Sequence, residues 1–403
     1  MAHTASSPAG ARRALVVGGG IAGSAAAWWL HHTGWNVVLV DASSAPHSGG
    51  FVLDLSATAQ AILHKMDADH IVERTSFATP ATALRFKGGR RPLQITFAGG
   101  ENRLAHRGRL IEELLKHVPE EVDVRLGTRL VSLEHRAEQV LAKFAEDGEG
   151  PGEPFDIVVG ADGVHSTVRG LVLSNTDASL YRNGLSHLWM TVDRAMPDPD
   201  AVVVGRHRAV VFAYPYPQTA KTQIVAAVQA PQNVTELRPL VEQVAKALYS
   251  TGRELEDIAE GVLASDDVLM TRFTQVRTSR WSARRVVLIG DAAHCIDPLS
   301  GLGAHGALLG AVTLAKSLQE HGADTAAAFT AYERHVRPFV QTSQRVTARA
   351  AEYVTLPTWR DRFMTVLGGA GELAQSLPRA VSASGRRALG GAADLAAVQR
   401  VRP

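Results

Sequence analysis

Three glycine-bearing segments, each led by a short apolar run, constrain this chain more than any other feature. The first is Val16-Val17-Gly18-Gly19-Gly20-Ile21-Ala22-Gly23. The second is Val158-Val159-Gly160-Ala161-Asp162-Gly163, continuing to Ser166 and Arg169. The third is Val286-Val287-Leu288-Ile289-Gly290-Asp291-Ala292-Ala293-His294, with Pro298 and Gly301-Leu302-Gly303 beyond it. Apolar runs that stop at glycine read as buried parallel strands entering tight turns.

Gly18-x-Gly20-x-x-Gly23 lies between such a run (Ala14–Val17) and a helical stretch from Ile21 to His32. In that context glycine permits the turn and the approach of a pyrophosphate to backbone N–H groups, including those of Ile21 and Ala22. The helix N-terminus adds partial positive charge. Asp41, about 20 residues on at the end of a second apolar run (Val37–Val40), is placed to accept hydrogen bonds from ribose hydroxyls. A glycine-rich turn without a ligand is the competing reading. Asp162, taken alone, reads as an aspartate ordering a loop. Asp291 is placed to accept hydrogen bonds from a ribityl or ribose chain, and Pro298–Gly303 leads into another apolar helix.

The 403 residues suit two linked domains, and 45% apolar with 20% charged residues suits a globular core. A net charge of +2 gives no reason to expect nucleic acid or an anionic membrane as partner. The single cysteine, Cys295, excludes an intramolecular disulfide and fits the cytoplasm. No uncharged apolar run reaches the roughly 18 residues of a membrane span, and residues 1–11 read as a loose tail.

Helical periodicity recurs at Ala57–Met66, Leu110–His117, 235–262, Ala304–Glu320 and Ala326–Arg345, with a kink expected at Pro338. Residues 76–98 alternate at Leu84, Phe86, Leu93, Ile95 and Phe97 and predict a hairpin. From 180 to 230 the pattern is strand-like, broken at Tyr214-Pro215-Tyr216-Pro217. The expected fold is α/β: a discontinuous Rossmann-like domain (1–75, 99–179 and 276–345), an inserted β-sheet-rich substrate domain (76–98 and 180–275) and a C-terminal helical segment (346–403).

The three segments together resemble the GxGxxG, DG and GD motifs of the single-component FAD-dependent aromatic hydroxylases, the para-hydroxybenzoate hydroxylase-like flavoprotein monooxygenases. The resemblance covers roughly residues 12–345, and Gly49-Gly50-Phe51-Val52-Leu53-Asp54-Leu55 is similar to the tetracycline-modifying, polyketide-tailoring branch. It implies tightly bound FAD, transient NADPH or NADH, and oxygenation through a flavin C4a-hydroperoxide. It assigns Gly18, Gly20 and Gly23 to the pyrophosphate, Asp41 to the adenosine ribose and Arg107 to FAD. Asp162 is assigned to FAD and nicotinamide handling, Asp291 to the ribityl and diphosphate, and Pro298, Gly301, Leu302 and Gly303 to the isoalloxazine. The chain departs from the pattern at Ala42 (commonly Arg), Leu302 (frequently Gln) and His305 (often Asn).

Among the 16 histidines there is no metal-ligand spacing, so no metal site is expected. His305 is a candidate for hydrogen-bonding flavin or a substrate phenol, with packing at a helix start as its alternative. His294 reads as positional. Trp189, Phe212, Tyr214, Tyr216 and Pro298 are candidates for the substrate wall; Trp189 and Met190, as strand neighbours, cannot both face it. Trp28 and Trp29 read as core.

The leading expectation is a monooxygenase that uses NAD(P)H and O2 to hydroxylate a hydrophobic aromatic or polyketide-like molecule, as a monomer or homodimer. The departures at Leu302 and His305 motivate an alternative, an FAD-containing non-redox cyclase or rearrangement catalyst. A sequestering protein that never turns its ligand over is a third.

Overall fold

The computed structural model describes residues 12–46, 51–80, 82–85, 93–94, 101–148, 150–182, 184–197, 201–216, 219–229, 236–272 and 275–355. Its chain opens with β1 (Arg13–Val17), α1 (Ile21–His32) and β2 (Asn36–Asp41). Next are β3 (Val52–Leu55), α2 (Ala57–Lys65), α3 (Asp69–Thr75), β4 (Ser76–Ala78), β5 (Thr82–Arg85), β6 (Leu93–Gln94), β7 (Arg103–His106) and α4 (Arg107–Lys116). There follow β8 (Asp123–Leu126), β9 (Leu130–His135), β10 (Val140–Phe144), β11 (Glu153–Phe155), β12 (Ile157–Gly160) and α5 (Thr167–Val172). The inserted region holds β13 (Ala178–Tyr181), β14 (Leu185–Val192), β15 (Ala201–Arg206), β16 (Ala209–Tyr216), β17 (Lys221–Gln229), α6 (Arg238–Tyr249), α7 (Glu256–Ala264) and β18 (Val268–Arg272). The chain then returns through β19 (Gln275–Thr278), β20 (Ser282–Ala283), β21 (Val286–Leu288), α8 (Asp291–His294), α9 (Gly303–His321) and α10 (Thr325–Thr355).

Six strands form the first sheet in the order β20-β21-β12-β1-β2-β8. The ladders β21-β12, β12-β1, β1-β2 and β2-β8 are parallel, with Val17 opposite Gly160 and Gly160 opposite Leu288. All three glycine segments therefore leave neighbouring strands at the same edge, where parallel sheets bind ligands. Residues Ala25, Ala26 and Ala27 are buried on α1, which packs against α9. Trp28 and Trp29 are core residues, as their position on α1 suggests.

The second sheet has the order β18-β14-β17-β16-β15-β5-β6. One face carries Leu188, Met190, Val211, Ala213, Ile224 and Ala226, packed with Val244, Leu248, Ile258 and Val262 of α6 and α7. The other face carries Trp189, Val225 and Phe212, cross-strand neighbours in register. Strand alternation thus separates Met190, in the core, from Trp189, on the opposite face.

Several expectations are corrected. Residues 235–262 are two helices, because the chain breaks at Gly252 (φ +146°). β16 runs through Pro215 instead of stopping at Tyr214: the ladder to β15 ends at Ala213, so the missing N–H of Pro215 costs no bond on that side. β4 and β3 each pair with β7, between them, in a separate three-stranded sheet, while β5 and β6 pair antiparallel and join the large sheet through parallel pairing of β5 with β15. Phe86, Ile95 and Phe97 lie outside the described residues, as does the segment from 356 onward. α10 continues through Pro338 to Thr355 without a break.

Met190 is 2% exposed. Met190→Ala is expected to lower unfolding stability by about 2–5 kcal/mol, the range for truncating a buried side chain, read from urea denaturation.

Candidate functional site

The first turn is fixed by close packing. A Cβ at Gly23 would run into the carbonyl oxygen of Gly18, so only glycine lets α1 start here. At Gly20, by contrast, a Cβ would meet no protein atom within 4 Å. Gly20 is the N-cap of α1 and no side chain caps that helix, which leaves its first amides to an anionic ligand. Asp41 accepts hydrogen bonds from Gly19 N and Ser43 N, both at 2.7 Å. A carboxylate has about four acceptor positions, so ribose hydroxyls can still bind there.

The second and third segments lock together through Arg169. Its guanidinium donates to the carbonyls of Ala292 (2.9 Å) and Val164 (2.7 Å). Asp162 turns toward α5, accepting from Ser166 Oγ (2.5 Å) and Val168 N (3.0 Å). Its carboxylate thus orders the loop, the structural role read from the residue alone. Burial raises its pKa, and these bonds oppose the rise.

Asp291 is open to solvent by area yet recessed among protein atoms, where its carboxylate is poorly hydrated. Burial raises its pKa; the hydrogen bond from the Cys295 thiol and the charge of Arg107 oppose that. The Arg107 guanidinium sits 5.2 Å from the ring centre of Phe51, and Arg107 N donates to Phe51 O at 2.9 Å. Burial pulls the Arg107 pKa down and Asp291 pulls it up. Arg109, beside it, is exposed.

Phe51 also stacks on Trp189, with ring centres 4.7 Å apart and planes tilted 26°. This contact joins the motif-bearing domain to the inserted sheet. Phe212 and Tyr214 lie parallel at 6.3 Å on the same sheet, and Tyr216 meets Phe77 edge-on. Pro298 is exposed, Gly301 and Leu302 are partly to fully buried, and Gly303 is exposed at the start of α9, which also lacks a side-chain cap.

His305 is wholly buried, with Nδ1 2.8 Å from Ser56 Oγ and its ring 4.6 Å from that of Phe339. Burial lowers its pKa to about 4, so it is neutral at physiological pH. Those contacts tie α9 to α2 and α10. His294 is buried beside Trp281, with its pKa lowered to about 3 by burial, which suits a positional role.

Phe51 and Asp54 enter from the sequence only as members of the Gly49–Leu55 run, with no role of their own, and nothing in the sequence points to His187 or Asp297. His187 Nε2 lies 3.7 Å from Asp297 Oδ1, but burial lowers the imidazole pKa to about 3, so this is no ion pair near neutrality. Asp54 was legible as a lone carboxylate in the apolar run Phe51–Leu55. Burial raises its pKa to about 6. A shallow depression lined by His207, Arg208, Pro239, Glu242, Gln243 and Lys246 holds none of these groups.

The open cradle at Gly20, the uncapped helices α1 and α9, and the facing charges of Arg107 and Asp291 fit FAD. Among the described residues no group of histidine, cysteine and carboxylates is arranged to hold a metal, and no helix is long and apolar enough to cross a membrane.

The family model described as "FAD binding domain" matches residues 12–347. A flavin-dependent monooxygenase of unknown prokaryotic origin is 28% identical over 343 residues, covering 83% of this chain and 87% of the relative. A flavin-dependent monooxygenase of Legionella longbeachae is 27% identical with the same coverage. The crystal structure of Klebsiella pneumoniae HpxO, complexed with FAD and uric acid, superposes with TM-score 0.75 at 20% identity, covering 96% of this chain and 97% of that one. Tetracycline destructase Tet(51) superposes with TM-score 0.72 at 22% identity, covering 93% and 98%. These structures share the fold.

Asp291→Ala is expected to weaken FAD binding about tenfold or more, the worth of a hydrogen bond to a charged group, with far-ultraviolet circular dichroism unchanged. Gly20→Val should bind still less, because its side chain fills the open approach; FAD absorbance per protein reads both. The Asp54 carboxyl, raised from 3.8 to about 6, stabilises the fold least when ionised. Its contribution is therefore fullest at low pH and is lost as pH rises through that window. Above it, Asp54→Asn should be more stable than wild type by about 2–3 kcal/mol, and the gap should close toward about pH 4.

Proposed function

The chain belongs to the FAD-binding family of flavin-dependent monooxygenases, and we propose that it uses NADPH or NADH and O2 to hydroxylate a hydrophobic aromatic or polyketide-like small molecule. The observation that carries this reading is the Phe51–Trp189 stack, which sets an aromatic wall of the inserted sheet beside Arg107 and Asp291. Relatives of the same fold are named for tetracycline destruction or bind uric acid, both ring systems, and that supports a planar substrate.

When bound, FAD would supply the redox chemistry of oxygen transfer, with a nicotinamide as the source of electrons. The chain's own groups bind and orient. The open turn at Gly20 and the amides of α1 hold the pyrophosphate, with Asp41 on the ribose. Arg107 supplies positive charge and Asp291 accepts from hydroxyl groups of the ribityl chain. Trp189 and Phe212, on one face of the sheet, orient the substrate ring and exclude water. The single, buried cysteine suits the cytoplasm as the compartment.

An anaerobic visible spectrum recorded before and after NADPH tests the proposal. The yellow protein should be bleached, faster with one member of a panel of polyketide phenols. A flavin that dithionite bleaches and NADPH leaves oxidised, with every phenol tried, would count for a non-redox cyclase instead.

A further inference from the structure

His305 departs from the family pattern, and its surroundings in the fold define which of its ring nitrogens carries the proton. It is the third residue of α9 and is wholly buried. Its Nδ1 lies 2.8 Å from the hydroxyl of Ser56, the N-cap of α2. That hydroxyl already accepts a hydrogen bond from Ala59 N (3.2 Å), and Ser56 is itself buried. A serine hydroxyl has one proton to donate, and among the described residues the acceptor within its reach is His305 Nδ1. A buried hydroxyl left without an acceptor costs free energy, so the Ser56 proton points at Nδ1. The imidazole is neutral, because burial lowers its pKa to about 4. Its single ring proton therefore sits on Nε2.

This bond joins two helix starts. Ser56 follows β3 and opens α2, while His305 lies in the first turn of α9. The loop before α9 meets the same junction a second time at Gly301, where a Cβ would overlap Asp54 Oδ2. The His305 ring also packs on Phe339 of α10, with centres 4.6 Å apart. Apolar packing is non-directional and lets a helix turn about its axis, whereas a hydrogen bond fixes that rotation. No side chain caps α9, and its ladder opens with Gly306 N donating to Leu302 O at 2.9 Å. The amides of Gly303 and Ala304 therefore emerge from the helix end, where they favour negative charge. We infer that Ser56 and His305 form a tautomer-specific latch that sets the first turn of α9, and so the amides of Gly303 and Ala304, against the ring system of bound FAD. His305 is a positioning residue that acts through α9. This inference rests on the FAD reading above, in which the uncapped start of α9 faces the cofactor. A flavin gains negative charge on reduction, so amides held in place favour its reduced form.

The test uses the FAD-loaded protein with isotope-labelled histidines. A long-range proton–nitrogen spectrum distinguishes bare from protonated ring nitrogens, and the His305 signals are those lost in His305→Phe. Wild type should show a bare Nδ1 and a protonated Nε2. Ser56→Gly keeps α2, because glycine is tolerated at an N-cap, and should shift the Nδ1 resonance as its donor is gone. The second readout is the midpoint potential of bound flavin against free FAD, which gives the preference for reduced over oxidised cofactor. In Ser56→Gly and His305→Phe that preference should fall about two- to fivefold, the worth of a charge at a helix terminus, and Ser56→Thr should restore it. A protonated Nδ1 in wild type would overturn the latch. A preference unchanged in both Ser56→Gly and His305→Phe would reduce the pair to packing and overturn the positioning role. Wild type that takes up no FAD, with the tautomer as expected, would instead sink the FAD reading and the role that depends on it.

Discussion

The parallel ladder β21-β12-β1 is the arrangement on which everything else depends. Its register sets Val17, Gly160 and Leu288 in one row, so three segments far apart in the chain end side by side. The turn at Gly18–Gly23, the Asp162 loop and the α8 start then lie at one edge of the sheet, and Arg169 pins the second to the third. A slip of one residue in either ladder would turn every side chain of the strand to the other face and pull the segments out of line.

Much of this was legible in the sequence because it is local. A short apolar run before glycine, followed by helical periodicity, specifies strand, turn and helix within about 30 residues. Asp41 falls where the spacing puts it, and α1 carries Trp28 and Trp29 into the core. Alternation likewise showed that Trp189 and Met190 face opposite ways, although only the packing of α6 and α7 against Met190 decides which way each faces.

Other features depend on partners that no periodicity reveals. Pro215 reads as a strand breaker until the end of the β15 ladder shows that its missing N–H is harmless there. Asp162 and His305 each carry a side chain suited to ligand work; in the fold one accepts from Ser166, the N-cap of α5, and from Val168 N, and the other bonds Ser56. Asp54 shows the reverse. It reads as one polar residue in a strand, and in the fold its carboxyl abuts Gly301, distant in sequence.

Strand β14 has a consequence of another kind. Its even-numbered residues Leu188, Met190 and Val192 belong to the core under α6 and α7, while Trp189 looks across to Phe51. Adjacent residues therefore have separate duties: the even positions pack the core, while Trp189 joins the inserted sheet to the motif-bearing domain through Phe51. One sheet, plied on two sides, serves as both foundation and palette.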